Sequence, residues 1–131
     1  MKIYEDIPEN VMTDLLEAVE GSSADAMWTY IREDIPGVSS CTYDERRNYY
    51  LSVMYQLMKA GRLKIAFNNT FWEGTIEEQL QRYSDRWPND ENCLFKADFQ
   101  LIENPDDGGL YFWAKGCFVW IYEDGFEEWT N

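Results

Sequence analysis

Residues 42–67 read TYDERRNYYLSVMYQLMKAGRLKIAF, and the change of rhythm at Gly61 decides the fold class. Before that glycine, Tyr50, Leu51, Met54, Leu57 and Met58 recur at helical spacing. Thr42 and Glu45 stand at capping-box spacing, where a hydroxyl and a carboxylate can each satisfy an orphan backbone N–H at a helix start. The Met and aromatic stripe reads as core packing. After Gly61 the period falls to two: Leu63, Ile65 and Phe67 on one side, Arg62 and Lys64 on the other. That run predicts a half-buried strand, although it is short enough to continue the helix.

Helical spacing dominates upstream. Val11, Leu15, Leu16 and Val19 predict a helix opening near Pro8 and closing at Gly21. Met27, Trp28, Ile31 and Ile35 predict a second, starting after Ser22 or Ser23 and running to about Asp34 before Pro36-Gly37. Downstream, Thr75 and Glu78 repeat the capping box. Ile76, Leu80, Tyr83 and Trp87 then mark a fourth helix that Pro88 closes. The remainder reads as strands. Phe95 to Leu101 alternates, Asn104 to Gly109 is a turn cluster, and Leu110–Ala114 and Cys117–Tyr122 are aromatic and β-branched runs. Asp124-Gly125 is a hairpin signal before Phe126–Trp129. The predicted fold is α+β: about four N-terminal helices packed against a C-terminal antiparallel β-meander, in one domain over residues 1–131.

The chain has 131 residues, 45% of them hydrophobic, which is too many core formers for a disordered protein. It carries 25 acidic and 11 basic side chains, net −14, and no histidine. Nucleic acid is therefore not an expected partner, because phosphate binding needs clustered Lys and Arg. Imidazole-based nucleophile activation and histidine-ligated zinc are excluded. Cys41, Cys93 and Cys117 are odd in number and widely spaced, with no Cys-x-x-Cys, so they read as reduced thiols. The acidic start Met-Lys-Ile-Tyr-Glu-Asp offers no signal-peptide pattern, and no apolar run is long enough for a membrane span. The expected location is the cytoplasm, with no membrane partner.

The charge is uneven. Residues 1–34 carry net −7, residues 35–86 net +1, and residues 87–131 net −8. In the last stretch the acids gather at predicted turns: Asp90-Glu91, Asp106-Asp107, Glu123-Asp124 and Glu127-Glu128. Such clusters keep a protein soluble, and they also steer a basic partner and repel acidic competitors.

No reaction is spelled out. Paired carboxylates are the raw material of glycoside hydrolysis, but among 25 acids no pair stands out. Asn104 to Gly109 is too short for a calcium loop, and no phosphate-cradling glycine motif is present. Cys41 precedes a predicted helix but has Asp44 and Glu45 beside it, which oppose a thiolate. Arg46, Arg47, Lys59, Arg62 and Lys64 form the one basic cluster, and helices followed by a hairpin resemble a winged helix. The surrounding negative field opposes DNA there. No cofactor and no metal are expected.

Four stretches resemble a known family. They are Asp25-Ala26-Met27-Trp28-Thr29-Tyr30-Ile31, Gly61-Arg62-Leu63-Lys64-Ile65-Ala66, Thr75-Ile76-Glu77-Glu78-Gln79-Leu80 with Trp87-Pro88, and Val119 to Gly125 with Trp129. They look like small acidic bacterial proteins known as domain of unknown function 596. Such proteins in turn resemble immunity proteins of contact-dependent growth inhibition and polymorphic toxin systems. The resemblance implies a non-enzymatic role, neutralising a basic toxin domain, with a nuclease as the expected toxin. It transfers no catalytic residue.

The expectation is a binding protein that occludes a basic toxin domain with charge complementarity. The docking residues expected are Asp90, Glu91, Asp106, Asp107, Glu123, Asp124, Glu127 and Glu128, with Trp129 as an aromatic anchor. A carboxylate hydrolase and a winged-helix regulator are the alternatives. A homodimer contact through the terminal hairpin stays open.

Overall fold

A computed structural model describes residues 7–33, 42–67, 69–86, 101–103, 110–112 and 117–130. Helices α1 (Glu9–Val19), α2 (Ala24–Glu33) and α3 (Tyr43–Lys59) come first, then strands β1 (Leu63–Phe67) and β2 (Thr70–Phe71). Helix α4 (Ile76–Arg86) is followed by β3 (Leu101–Glu103), β4 (Leu110–Phe112), β5 (Cys117–Ile121) and β6 (Glu127–Trp129). The fold is α+β, as the two periods on either side of Gly61 require.

The helix boundaries follow the local chemistry. At α3 the Thr42 hydroxyl accepts from the Glu45 N–H at 3.2 Å, and the Glu45 carboxylate accepts from the Thr42 N–H at 3.1 Å. Thr75 and Glu78 repeat that exchange at 3.1 and 2.9 Å ahead of α4. Both carboxyls are held below the ordinary glutamate value, first by the threonine backbone N–H and then by its hydroxyl. Helix α3 ends in a Schellman motif: Arg62 N–H donates to Leu57 O at 2.9 Å, and Gly61 N–H to Met58 O at 3.0 Å. Gly61 has φ +76°, which costs a residue without a Cβ little. The chain leaves that turn directly into β1.

Helix α3 is the central element. Tyr50, Leu51, Ser52, Val53 and Met54 are buried in succession, along with Leu57 and Met58. The predicted stripe is thus wider than one face, because α3 contacts α2, α4 and β1. A helix enclosed on several sides loses its polar face in the middle. Ser52 satisfies its buried hydroxyl by donating to Asn48 O at 2.8 Å. Trp28, Tyr50, Phe118 and Trp120 form the aromatic centre of this core, with edge-on contacts at 5.7 Å (Trp28–Tyr50) and 5.9 Å (Phe118–Trp120).

The sheet corrects the expected C-terminal meander. Its order is β2-β1-β5-β6, antiparallel, with β3 and β4 paired separately as a two-stranded sheet. The middle strand β1 comes from the helical half and pairs with β5, Leu63 opposite Trp120 and Ile65 opposite Phe118. The alternation seen in the sequence selects which side chains face the helices. It carries no information about which strand lies alongside. Leu63, Ile65, Phe118 and Trp120 face the helices, and Ala66 and Val119 on the opposite face are also fully buried. There Phe71 and Trp129 lie 5.0 Å apart, and the Lys64 ammonium sits 4.7 Å from the Phe71 ring.

Candidate functional site at the β5–β6 hairpin

Residues 117–130 contain four carboxylates and no Lys or Arg. The strands form because aromatic and β-branched residues fill β5, while Glu123-Asp124-Gly125 supplies the reversal. Tyr122 N–H donates to Phe126 O, and Gly125 N–H to Tyr122 O, both at 2.9 Å. Gly125 has φ +88°. This is the three-residue hairpin loop with a left-handed glycine, one residue longer than the Asp-Gly two-residue turn. The Asp124 carboxylate accepts from Phe126 N–H at 3.0 Å and pins the loop.

The hairpin is anchored to the helices from one side. Trp120 Nε1–H donates to Ser22 O at 2.8 Å. Arg62 donates from Nε to Ile121 O at 2.9 Å and pairs through Nη2 with Glu20 Oε2 at 2.6 Å. The Arg62 and Glu20 side chains are only 22% and 24% exposed, so water screens this pair less than a surface pair. Gly21 makes the approach possible. It has φ +87°, and a Cβ there would lie 3.0 Å from Glu128 Oε1. Glu20, Arg62, Tyr122, Glu123, Asp124 and Phe126 line an open groove of about 480 Å³.

Within it the Tyr122 hydroxyl donates to Glu128. That hydrogen bond, then desolvation, then the negative charges of Glu128 and Glu20 push the Tyr122 phenol up to about 12, against the opposing effect of Arg62. Each of these stabilises the protonated phenol. The tyrosine therefore holds its proton at neutral pH and serves as a donor, not as a base.

Of the residues expected to dock a partner, the hairpin brings together Glu123, Asp124, Glu127, Glu128 and Trp129. Glu123, Asp124 and Glu127 are exposed, and among the described residues no cation pairs with them. Glu128 is half-buried, and its carboxylate accepts the hydrogen bond of the Tyr122 hydroxyl. Trp129 is 41% exposed and leans on Phe71. Asp90, Glu91, Asp106 and Asp107 lie outside the described residues, as do Cys41 and Cys93.

Sequence reasoning missed Phe126. It is 62% exposed, the most exposed large hydrophobic among the described residues. Its position directly after the turn was the available signal, since a residue at a loop exit has no strand neighbour to cover it. Sequence reasoning also grouped the cations of α3 and β1 as one patch. The structure disperses four of them: Arg47 pairs with Asp44 at 3.3 Å, Lys59 lies over Tyr55, Arg62 holds Glu20, and Lys64 lies over Phe71.

A second groove of about 560 Å³ runs between α1 and the end of α3, lined by Met12, Leu16 and Leu57 among others. Gln56 closes one side by exchanging two hydrogen bonds with the Ile7 backbone, at 2.8 and 3.0 Å. Among the described residues no group of acids and thiols is placed to hold a metal ion, and no helix is long and apolar enough to cross a membrane. No carboxylate side chain whose surroundings are described is buried.

A family model described as a protein of unknown function, DUF596, matches residues 58–130, which include the end of α3 and everything from β1 to β6. No curated protein matches the chain. Among solved structures, an uncharacterized protein conserved in bacteria, from Neisseria meningitidis, is similar, with a TM-score of 0.60 and 21% identity. The match covers 92% of this chain and 84% of that one. At that identity the likeness is one of fold.

Proposed function

The chain belongs to the family of proteins of unknown function DUF596, and from that premise we propose that it is a binding protein of the immunity type. In this reading it neutralises a basic bacterial toxin domain, a nuclease by expectation, by covering the toxin's active-site cleft or a neighbouring surface. The observation that carries the reading is the hairpin tip. Three exposed carboxylates, with no ion-pair partner among the described residues, lie close in the chain to Phe126, the most exposed large hydrophobic among those residues.

The chemistry fits such a task. A nuclease surface is basic because its substrate is a polyanion, so an acidic inhibitor meets it with complementary charge. Charge supplies speed of encounter and choice of partner. An aromatic that loses its water on docking supplies affinity. The anchoring of the hairpin by Trp120 and Arg62 holds the tip in place before a partner arrives, which lowers the entropic cost of binding.

The test is binding to a cognate toxin domain, sought among the products of the neighbouring genes, with Glu123, Asp124 and Glu127 reversed to Lys. The expected result is a loss of at least about 100-fold in affinity, carried in part by a slower association rate that no longer depends on salt. Unchanged affinity and unchanged salt dependence would remove the hairpin as the docking face.

A further inference from the structure

The hydrogen-bonding parity of β6 shows which of its backbone groups are spent. Tyr122 N–H reaches Phe126 O, and Thr130 N–H reaches Phe118 O, both at 2.9 Å. Trp120 lies opposite Glu128 between them. In an antiparallel ladder alternate residues bond to the same neighbour. The Phe126 C=O, both backbone groups of Glu128 and the Thr130 N–H therefore point at β5, while the Phe126 N–H is held by Asp124 and the backbone groups of Glu127 and Trp129 point away. Strand β5 keeps the same alternation, since Ile121 N–H turns the other way to Arg62 O. Strand β6 ends the sheet, and among the described residues no strand pairs with its outer edge.

Such an edge is a template for another strand unless something blunts it. Here the outward donors and acceptors of Glu127 and Trp129 have no backbone partner among the described residues, and their side chains flank the edge on one face while Phe126 and Glu128 flank it on the other. One face thus offers Trp129 and the exposed Glu127 carboxylate, and the other offers Phe126 beside a Glu128 carboxylate already held by Tyr122. A strand laid along it would place alternate side chains against both.

Resting on the docking role proposed above, we infer that the outer edge of β6 receives an extended basic segment of a partner protein as a fifth strand. Charge selects this occupant over a second copy of the chain. Edge-to-edge pairing of two copies brings together two segments of the same sign, since residues 117–130 carry four carboxylates and no Lys or Arg, and like charges repel across such a contact. A segment that interleaves Lys or Arg with apolar residues meets carboxylates and aromatics instead.

The probe is a seven-residue peptide alternating Arg or Lys with Val, added to the full chain at millimolar concentration. Amide hydrogen exchange is read residue by residue. The peptide is expected to slow exchange at Glu127 and Trp129 by about tenfold, and an Asp/Glu version of it should not. Glu127→Pro removes one outward N–H and should abolish the protection, whereas Glu127→Gln keeps that N–H and should retain most of it. A peptide with alternate backbone nitrogens methylated provides the same test on the unaltered chain, so a poorly folded proline variant leaves the inference falsifiable. Lack of protection with the basic peptide, or equal protection by the acidic or methylated peptide, overturns strand addition. So does concentration-dependent dimerisation that protects the same two amides. If charge reversal at the tip abolishes toxin binding while the toxin leaves these amides unprotected, strand addition fails and the docking role stands.

Discussion

At the root of the β5–β6 hairpin Phe118 and Trp120 have no exposed surface, whereas beyond the turn Phe126 keeps 62% of its surface in water. Both ends use aromatic rings beside charged groups. At the root the charge is matched, with Arg62 on Glu20 at 2.6 Å. At the tip Glu123, Asp124 and Glu127 form no ion pair among the described residues. The difference teaches that neither aromaticity nor acidity marks a functional position by itself. Burial and pairing decide whether the same residue types serve stability or recognition.

The sharpest way to break this division is to cut the root. Trp120→Ala is expected to destabilise the fold by about 3–5 kcal/mol in urea unfolding, through the cavity it leaves and the stranded Ser22 carbonyl. A small effect would mean that the hairpin is not anchored as its packing indicates. Arg62→Met comes next, with an expected loss of roughly 1–2 kcal/mol, because it removes charge-assisted hydrogen bonds to both Glu20 and Ile121. A double-mutant cycle with Glu20→Gln isolates their coupling.

Loss of the α3 cap by Thr42→Ala should cost about 1 kcal/mol. It also carries a pH signature. The folded carboxyls of Glu45 and Glu78 are lowered. Their contribution is therefore present above the unfolded glutamate value of about 4.3 and is lost as pH falls through the lower folded values. The stability gap between the wild type and a Glu45→Gln, Glu78→Gln variant should close in acid. A gap that persists there would place the capping effect elsewhere.

The smallest stability effect belongs to the tip. Phe126→Ala should leave unfolding within about 0.5 kcal/mol of the wild type, since an exposed ring has little packing to lose. The same substitution should weaken toxin binding by roughly tenfold or more. A variant that loses stability instead would return Phe126 to the fold and take it from the site.

Particular elements show how far the sequence could be read. Both capping boxes, the ends of α1 and α3 at Gly21 and Gly61, and the reversal at Gly125 were legible, because each depends on residues a few positions apart. The pairing of β1 with β5 was not, and neither was the escape of Phe126 from the core. Glu128 looked like its acidic neighbours until Tyr122 and Gly21 closed on it. Each of these depends on groups distant in the chain, and a local pattern does not encode distant neighbours.

By itself the sequence determined the four helices and strands β1, β4, β5 and β6, though not β2, together with the capped helix starts, the acidic character of the terminal segment and the absence of histidine chemistry; its readings at Pro36-Gly37, Trp87-Pro88 and 95–100 lie outside the described residues. Caps, turns and periodicity are set by short-range sterics and hydrogen bonds, which act before the chain is compact. Tertiary structure alone decided which strand lies beside which, which cations were consumed internally, and which aromatic and backbone groups were left facing outward. Those outcomes follow from packing, where burying one surface fixes what remains for a partner.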